Sequence, residues 1–253
     1  MSSLSVAAIV LACVFAGALL GLWLSRKLPE HHRNAESRDA VKLTTGMLSV
    51  LAALVLGLLL ASVKGSFDTT DAQIRQFAAS LILLDQTLRD YGPETAPARD
   101  LLRRYTARAL DDNWPGNRNT PVRLEDTESG RLLDGVHMAV LALPGGGSRR
   151  DTLRTEAAAL AETALNTRWL LIERVGSSIQ PLFMGILIVW ITLIFLSFGY
   201  NAPHNATVAT AFVLGAAALA GCIFLIAEMD GPFEGLITVS DLPMRNALAH
   251  MNP

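Results

Sequence analysis

Glu30, His31 and His32 are the side chains of this chain whose types best suit metal chemistry. Their spacing argues against it. Adjacent residues point about 100° apart on a helix, so the two histidines do not converge on one ion as an i, i+4 pair would. No neighbouring cysteine or acidic cluster completes a coordination shell. The segment reads as a polar interfacial turn, with a pH-sensing histidine pair as the other role. Cys13 and Cys222 both fall inside apolar runs and read as small buried hydrophobes, not as a disulfide or zinc framework. Gly145-Gly146-Gly147 lacks a following Lys-Ser/Thr, so it is a flexible break and not a phosphate cradle. Nucleophile elbows, metalloprotease helices and paired-cysteine motifs are missing. The expectation is a protein that is no enzyme and uses no cofactor.

The elements that would position any site are apolar. Four uninterrupted hydrophobic runs lie at 4–24, 44–63, 181–200 and 206–227. Each is roughly 20 residues, the length a helix needs to cross a ~30 Å hydrocarbon core. The chain is 51% hydrophobic and 17% charged, and its mean hydropathy is only +0.36 because the section between the two pairs is polar. A net charge of −2 gives no reason to expect nucleic acid as a partner. The expected fold is all-α and integral to the membrane: four transmembrane helices in two hairpins, flanking a helical soluble region continuous with them. The divisions are 1–65, 66–177, 178–228 and a tail at 229–253.

Local patterns fill in that plan. Ala16, Gly17, Ala18 and Gly21 put small residues in the first span, where they let helices approach closely. After the second span, Ile74, Phe77, Leu81, Leu84 and Leu88 repeat at three or four residues, which is an amphipathic helix. Thr70 with Gln73 fits a capping box, so this helix either restarts there or continues unbroken from the membrane. Gly92-Pro93 ends it. Further helices are expected over 97–111, 124–143 and 149–176, with breaks at 113–117 and 144–147. His204 lies in a polar turn between the third and fourth spans.

No ionisable side chain interrupts the spans, whereas proton-coupled carriers keep one in the membrane. A passive pore needs only helices around water and an apolar constriction.

Two stretches carry a family resemblance. The end of the fourth span reads Phe224-Leu-Ile-Ala-Glu228-Met-Asp230-Gly-Pro232-Phe233, followed by Asp241-Leu242-Pro243. This resembles the segment after the last transmembrane helix of bacterial bestrophins. The second span followed by Ser66-Phe67-Asp68 is similar to the bestrophin pore helix and the residues behind it. Leu28-Pro-Glu-His-His32, Tyr91-Gly-Pro93 and Asn201-Ala-Pro-His-Asn-Ala-Thr207 match the pattern of a bacterial group described as bestrophin-like, over nearly the whole chain.

Bestrophins are pentameric ion channels whose second transmembrane helix lines the pore. The resemblance therefore implies a homo-oligomer, with membrane lipid, its own copies and small permeant ions as partners. On the second span one candidate pore face is Leu51, Val55, Leu59 and Ser62; the other is Leu54, Leu58 and Ala61. This helix has no aromatic residue, unlike the Ile/Phe neck typical of bestrophins. In animal bestrophins acidic residues beyond the last span join a calcium clasp, so Glu228, Asp230, Glu234 and Asp241 are candidate ion ligands by resemblance. Polar capping and subunit contacts are the other role for these acids.

Location in a bacterial inner membrane follows from the same likeness. Orientation stays open. Arg26, Lys27, Arg33, Arg38 and Lys42 put the first loop in the cytoplasm by the positive-inside rule, leaving the middle section outside. Bestrophins instead keep both termini and the helical region in the cytoplasm. The competing function is a membrane sensor or assembly scaffold, whose helical region would bind a ligand or a partner protein.

Overall fold

The computed structural model describes residues 2–27, 35–115, 126–174, 181–203 and 205–252. Among them lie eight α-helices and no strand: α1 (Ser3–Lys27), α2 (Ala35–Tyr91), α3 (Ala96–Asn113), α4 (Thr127–Leu141), α5 (Ser148–Arg174), α6 (Pro181–Asn201), α7 (Ala206–Met229) and α8 (Leu242–Met251). A 3-10 turn, Pro93–Thr95, leads into α3. Four of the helices are long and apolar enough to cross a membrane: α1, α2, α6 and α7. These contain the four expected runs. Glu30, His31, His32 and His204 lie outside the described residues, as do 116–117 of the break after α3 and 175–178, which include the Gly176-Ser-Ser178 interruption.

The chain divides into two compact units, Met1–Ser66 with Ser177–Asp230, and Phe67–Gly176 with Gly231–Pro253. The first unit is built on backbone-close packing. Gly17 and Gly21, one helical turn apart on α1, face α6. A methyl group on Gly17 would sit 2.7 Å from the Thr192 carbonyl oxygen, and one on Gly21 would overlap the Leu196 carbonyl. Reciprocally, a side chain on Gly199 of α6 would overlap the Ala18 carbonyl. Helices in lipid gain little from burying apolar surface, so small residues that admit this approach supply the association through van der Waals contact. Val10, Val14, Leu187, Ile191, Ala216 and Ile223 fill the core beside them. Phe195 of α6 packs on Phe212 of α7 with ring centroids 6.2 Å apart. Asn205 caps α7, its side chain accepting from the Val208 N–H at 2.9 Å.

α2 is a single helix of 57 residues. The capping-box alternative is resolved in favour of continuity: Thr70 is buried within the helix and does not cap its start. Gly92 then ends it at φ 136°, in the left-handed region where a side chain is strained.

In the second unit the amphipathic pattern is met residue by residue. Ile74, Phe77, Leu81, Leu84 and Leu88 are all buried, and Leu102, Tyr105, Leu133, Val136, Ala161 and Met244 pack into the same core. Fully burying a Leu or Phe contributes about 1.5–3 kcal/mol, so this stripe is the main hold on the unit. Polar ties close its edges. Asp85 is buried and accepts from Arg89 and from Arg99, each at 2.8 Å. Arg89 also donates to the His250 carbonyl on α8 at 2.5 Å. Tyr91 donates its hydroxyl hydrogen to the Pro144 carbonyl. Asp126 caps α4 by accepting from the Ser129 N–H at 3.0 Å. α8, which the sequence reading leaves as tail, buries Met244, Ala247 and Met251 in this unit's core.

Candidate pore helix and acidic segment

α2 is the span that the rest of the chain covers least. Only 11% of its apolar window is buried, against 22–28% for the other three. The covered side is Leu48, Ala52, Val55, Leu56 and Leu59, packed on the first unit's core. Thr45 joins α2 to α6 through a 2.6 Å hydroxyl–hydroxyl hydrogen bond with Ser197. The opposite stripe, Leu43, Met47, Val50, Leu54 and Leu58, is exposed by 59–73%, and Ala61 continues it.

The candidate residues divide accordingly. Val55 and Leu59 are half-buried against the core, while Leu51 and Ser62 are exposed at its margin. Leu54, Leu58 and Ala61 all lie on the exposed side. Thus Leu51, Val55, Leu59 and Ser62 share a helical face in projection but not an environment. Hydropathy could not separate the two faces, because Leu and Val occur on both.

The acidic candidates are likewise dispersed among roles. Glu228 is buried near the end of α7, and Asp230 is half-buried just beyond it. Glu234 is exposed. Asp241 precedes α8 and is held by Arg245 at 2.5 Å. Among the described residues no group of three or more His, Cys, Asp or Glu side chains is placed to hold a metal ion. Calcium takes six to eight oxygens, so an isolated carboxylate paired with an arginine makes a poor ligand.

The family description Bestrophin-like domain matches residues 12–244. The chain belongs to the bestrophin-like family. The match takes in all of α2 through α7 and most of α1, so family and architecture rest on the same residues. Membership suggests a function of the ion-channel kind in a membrane. No curated protein matches the chain, and neither does any solved structure.

Two features escaped the sequence reading. One is α8. The other is Arg168, a buried guanidinium on α5. A signal for it was present: Ala157, Ala161, Ala164, Arg168 and Leu171 follow one another at four, three, four and three residues, which puts Arg168 on the buried face.

Proposed function

We propose that this protein is a homo-oligomeric ion channel of the bacterial inner membrane, with α2 lining the ion path and no catalytic step. Family membership supports the channel class. The observation that carries the role of α2 is its bare stripe. An apolar helix face left uncovered by its own protomer must meet lipid, another copy or the pore. α2 has the largest such face among the four spans. In a pentameric ring, the number the family resemblance implies, the stripe Leu43–Met47–Val50–Leu54–Leu58–Ala61 turns toward the axis and Leu54 and Leu58 form an apolar constriction. Burial favours this face over Val55 and Leu59, which are already engaged within the protomer.

Purified protein in planar bilayers tests the proposal. Leu58→Asp and Leu54→Ala should change single-channel conductance or open probability, while Leu19→Ala, on an exposed part of α1, should not. Five-fold mass in native mass spectrometry is the expected assembly. A monomeric mass in lipid, together with no current in any salt gradient, would overturn the reading.

A further inference from the structure

The bare stripe of α2 runs on where the apolar span ends. Past Ala61 it continues at steps of three and four residues, through Gly65 and Asp68 to Asp90, and each position of the series is exposed. At about 100° per residue the series from Leu43 to Asp90 stays within an arc of about 80° on one continuous helix. Its length is about 70 Å at 1.5 Å per residue. Buried residues hold the opposite side throughout, from Thr45 and Ala52 to Leu81 and Leu88.

The chemistry of the stripe changes along its length. Within the apolar span it is Leu, Met, Val and Ala. Beyond the span its neutral positions are Ala72, Gln76, Ala79, Leu83 and Gln86. The ionised ones are Asp68 and Asp90, and no Lys or Arg falls within the arc. A helix face that meets only bulk water has no reason to exclude one sign of charge, and soluble surfaces intersperse both. The arginines of this part of α2 lie beside the arc and are drawn away from it. Arg75 pairs with Asp71 at 2.9 Å. Arg89 pairs with Asp85 at 2.8 Å and donates to the His250 carbonyl. Among the described residues Asp90 forms no ion pair.

We propose that the extramembrane part of this stripe lines the same ion path and makes it admit small cations in preference to anions, with Asp68 and Asp90 as the specificity-determining side chains. This ion class rests on the channel reading and adds to it. In a ring of copies each stripe position repeats once per chain, so Asp68 and Asp90 become two carboxylate rings about 33 Å apart along the helix. Rings of one sign in a narrow path with low-dielectric walls raise the local concentration of counter-ions about tenfold or more and repel ions of their own sign. Between the rings, Ala72, Gln76, Ala79, Leu83 and Gln86 carry no charge that would offset the preference. Leu54 and Leu58 set the width of the path, and uncharged side chains do not select the sign of an ion.

The test is the reversal potential of the purified full-length protein in planar bilayers across a KCl gradient, with thermal unfolding and native mass spectrometry alongside. The unmodified protein should pass K+ over Cl− with a permeability ratio of about five or more. Asp68→Asn combined with Asp90→Asn should bring that ratio near one. Asp90→Asn alone removes an exposed carboxylate with no ion pair among the described residues, so it should keep the native Tm and give part of the shift. It decides the matter if the double variant does not fold. Asp134→Asn, the same charge change at an exposed position of α4, should leave the ratio as it is. A preference for Cl−, an unchanged ratio in folded Asp90→Asn, or an equal shift in Asp134→Asn would overturn the ion class and leave the channel reading standing. A monomeric mass with no current in any salt gradient would remove both.

Discussion

The hydroxyls of Thr45 and Ser197 lie 2.6 Å apart and join α2 to α6 inside the first unit. This is a polar tie on the side of α2 that also packs Ala52 and Val55 on the first unit's core. Thr45→Val should lower stability by about 0.6–1.7 kcal/mol, the range for hydrogen bonds between membrane helices. Thermal unfolding in detergent measures this. Ser49→Ala removes only a bond to the Thr45 carbonyl in the same helix and should cost less.

Glycine substitutions should separate sharply by position. Gly21→Ala places a methyl group on the Leu196 carbonyl and forces α1 away from α6. A loss of about 1–3 kcal/mol is expected from such overpacking. Gly57→Ala and Gly221→Ala meet nothing within 4 Å in the chain. They should be neutral or raise stability by up to about 1 kcal/mol through helix propensity. Equal Tm values for Gly21→Ala and Gly221→Ala would refute close α1–α6 packing.

Asp85 holds two arginines, one of which reaches α8 through the His250 carbonyl. Asp85→Ala should therefore destabilise the second unit by about 1.5–3 kcal/mol, the usual scale for bonds to a charged group. Arg89→Ala should act more locally, speeding proteolysis at α8 with little change in global Tm. A C-terminal segment as well protected in Arg89→Ala as in the unmodified protein would exclude the tie.

Asp126 gives a pH prediction. Its pKa lies below the ordinary aspartate value, first because the Ser129 backbone N–H bonds to it and then because Arg108 does, while partial burial opposes. A carboxyl held below its unfolded value stabilises the fold above that value, near pH 4, and loses the effect as pH falls toward the folded value. Asp126→Ala should cost about 1 kcal/mol at pH 7 through loss of the α4 cap. The gap to the unmodified protein should narrow below about pH 4. A gap constant down to pH 3 would contradict the assignment.

Ile74, Phe77, Leu81, Leu84 and Leu88 show how far sequence periodicity carries. The pattern named a face, and every one of the five is buried. The continuity of α2 was not legible in the same way. Thr70 and Gln73 have the types of a capping box, but a cap residue has non-helical backbone, and Thr70 lies buried inside one continuous helix. α8 was missed because Leu242-Pro243 opens a helix of only ten residues, too short for a clear period. Arg168 was missed for another reason. Arginine is rarely buried, so a charged residue in the Ala157–Ala161–Ala164–Leu171 stripe does not by itself announce a core position.

The sequence by itself determined that the protein is helical, that four helices can cross a membrane, and that the chain is bestrophin-like. Those properties depend on run length, on the absence of charge and on local motifs, all of which lie along the chain. Only the tertiary structure decided that Val55 and Leu59 are packed while Leu54 and Leu58 are bare, and that Arg168 is buried without a carboxylate among the described residues. Lipid, a neighbouring helix and an apolar constriction all accept the same Leu and Val side chains. What tells these surroundings apart is which atoms of the folded chain come within contact distance, and hydropathy along the sequence does not contain that distance.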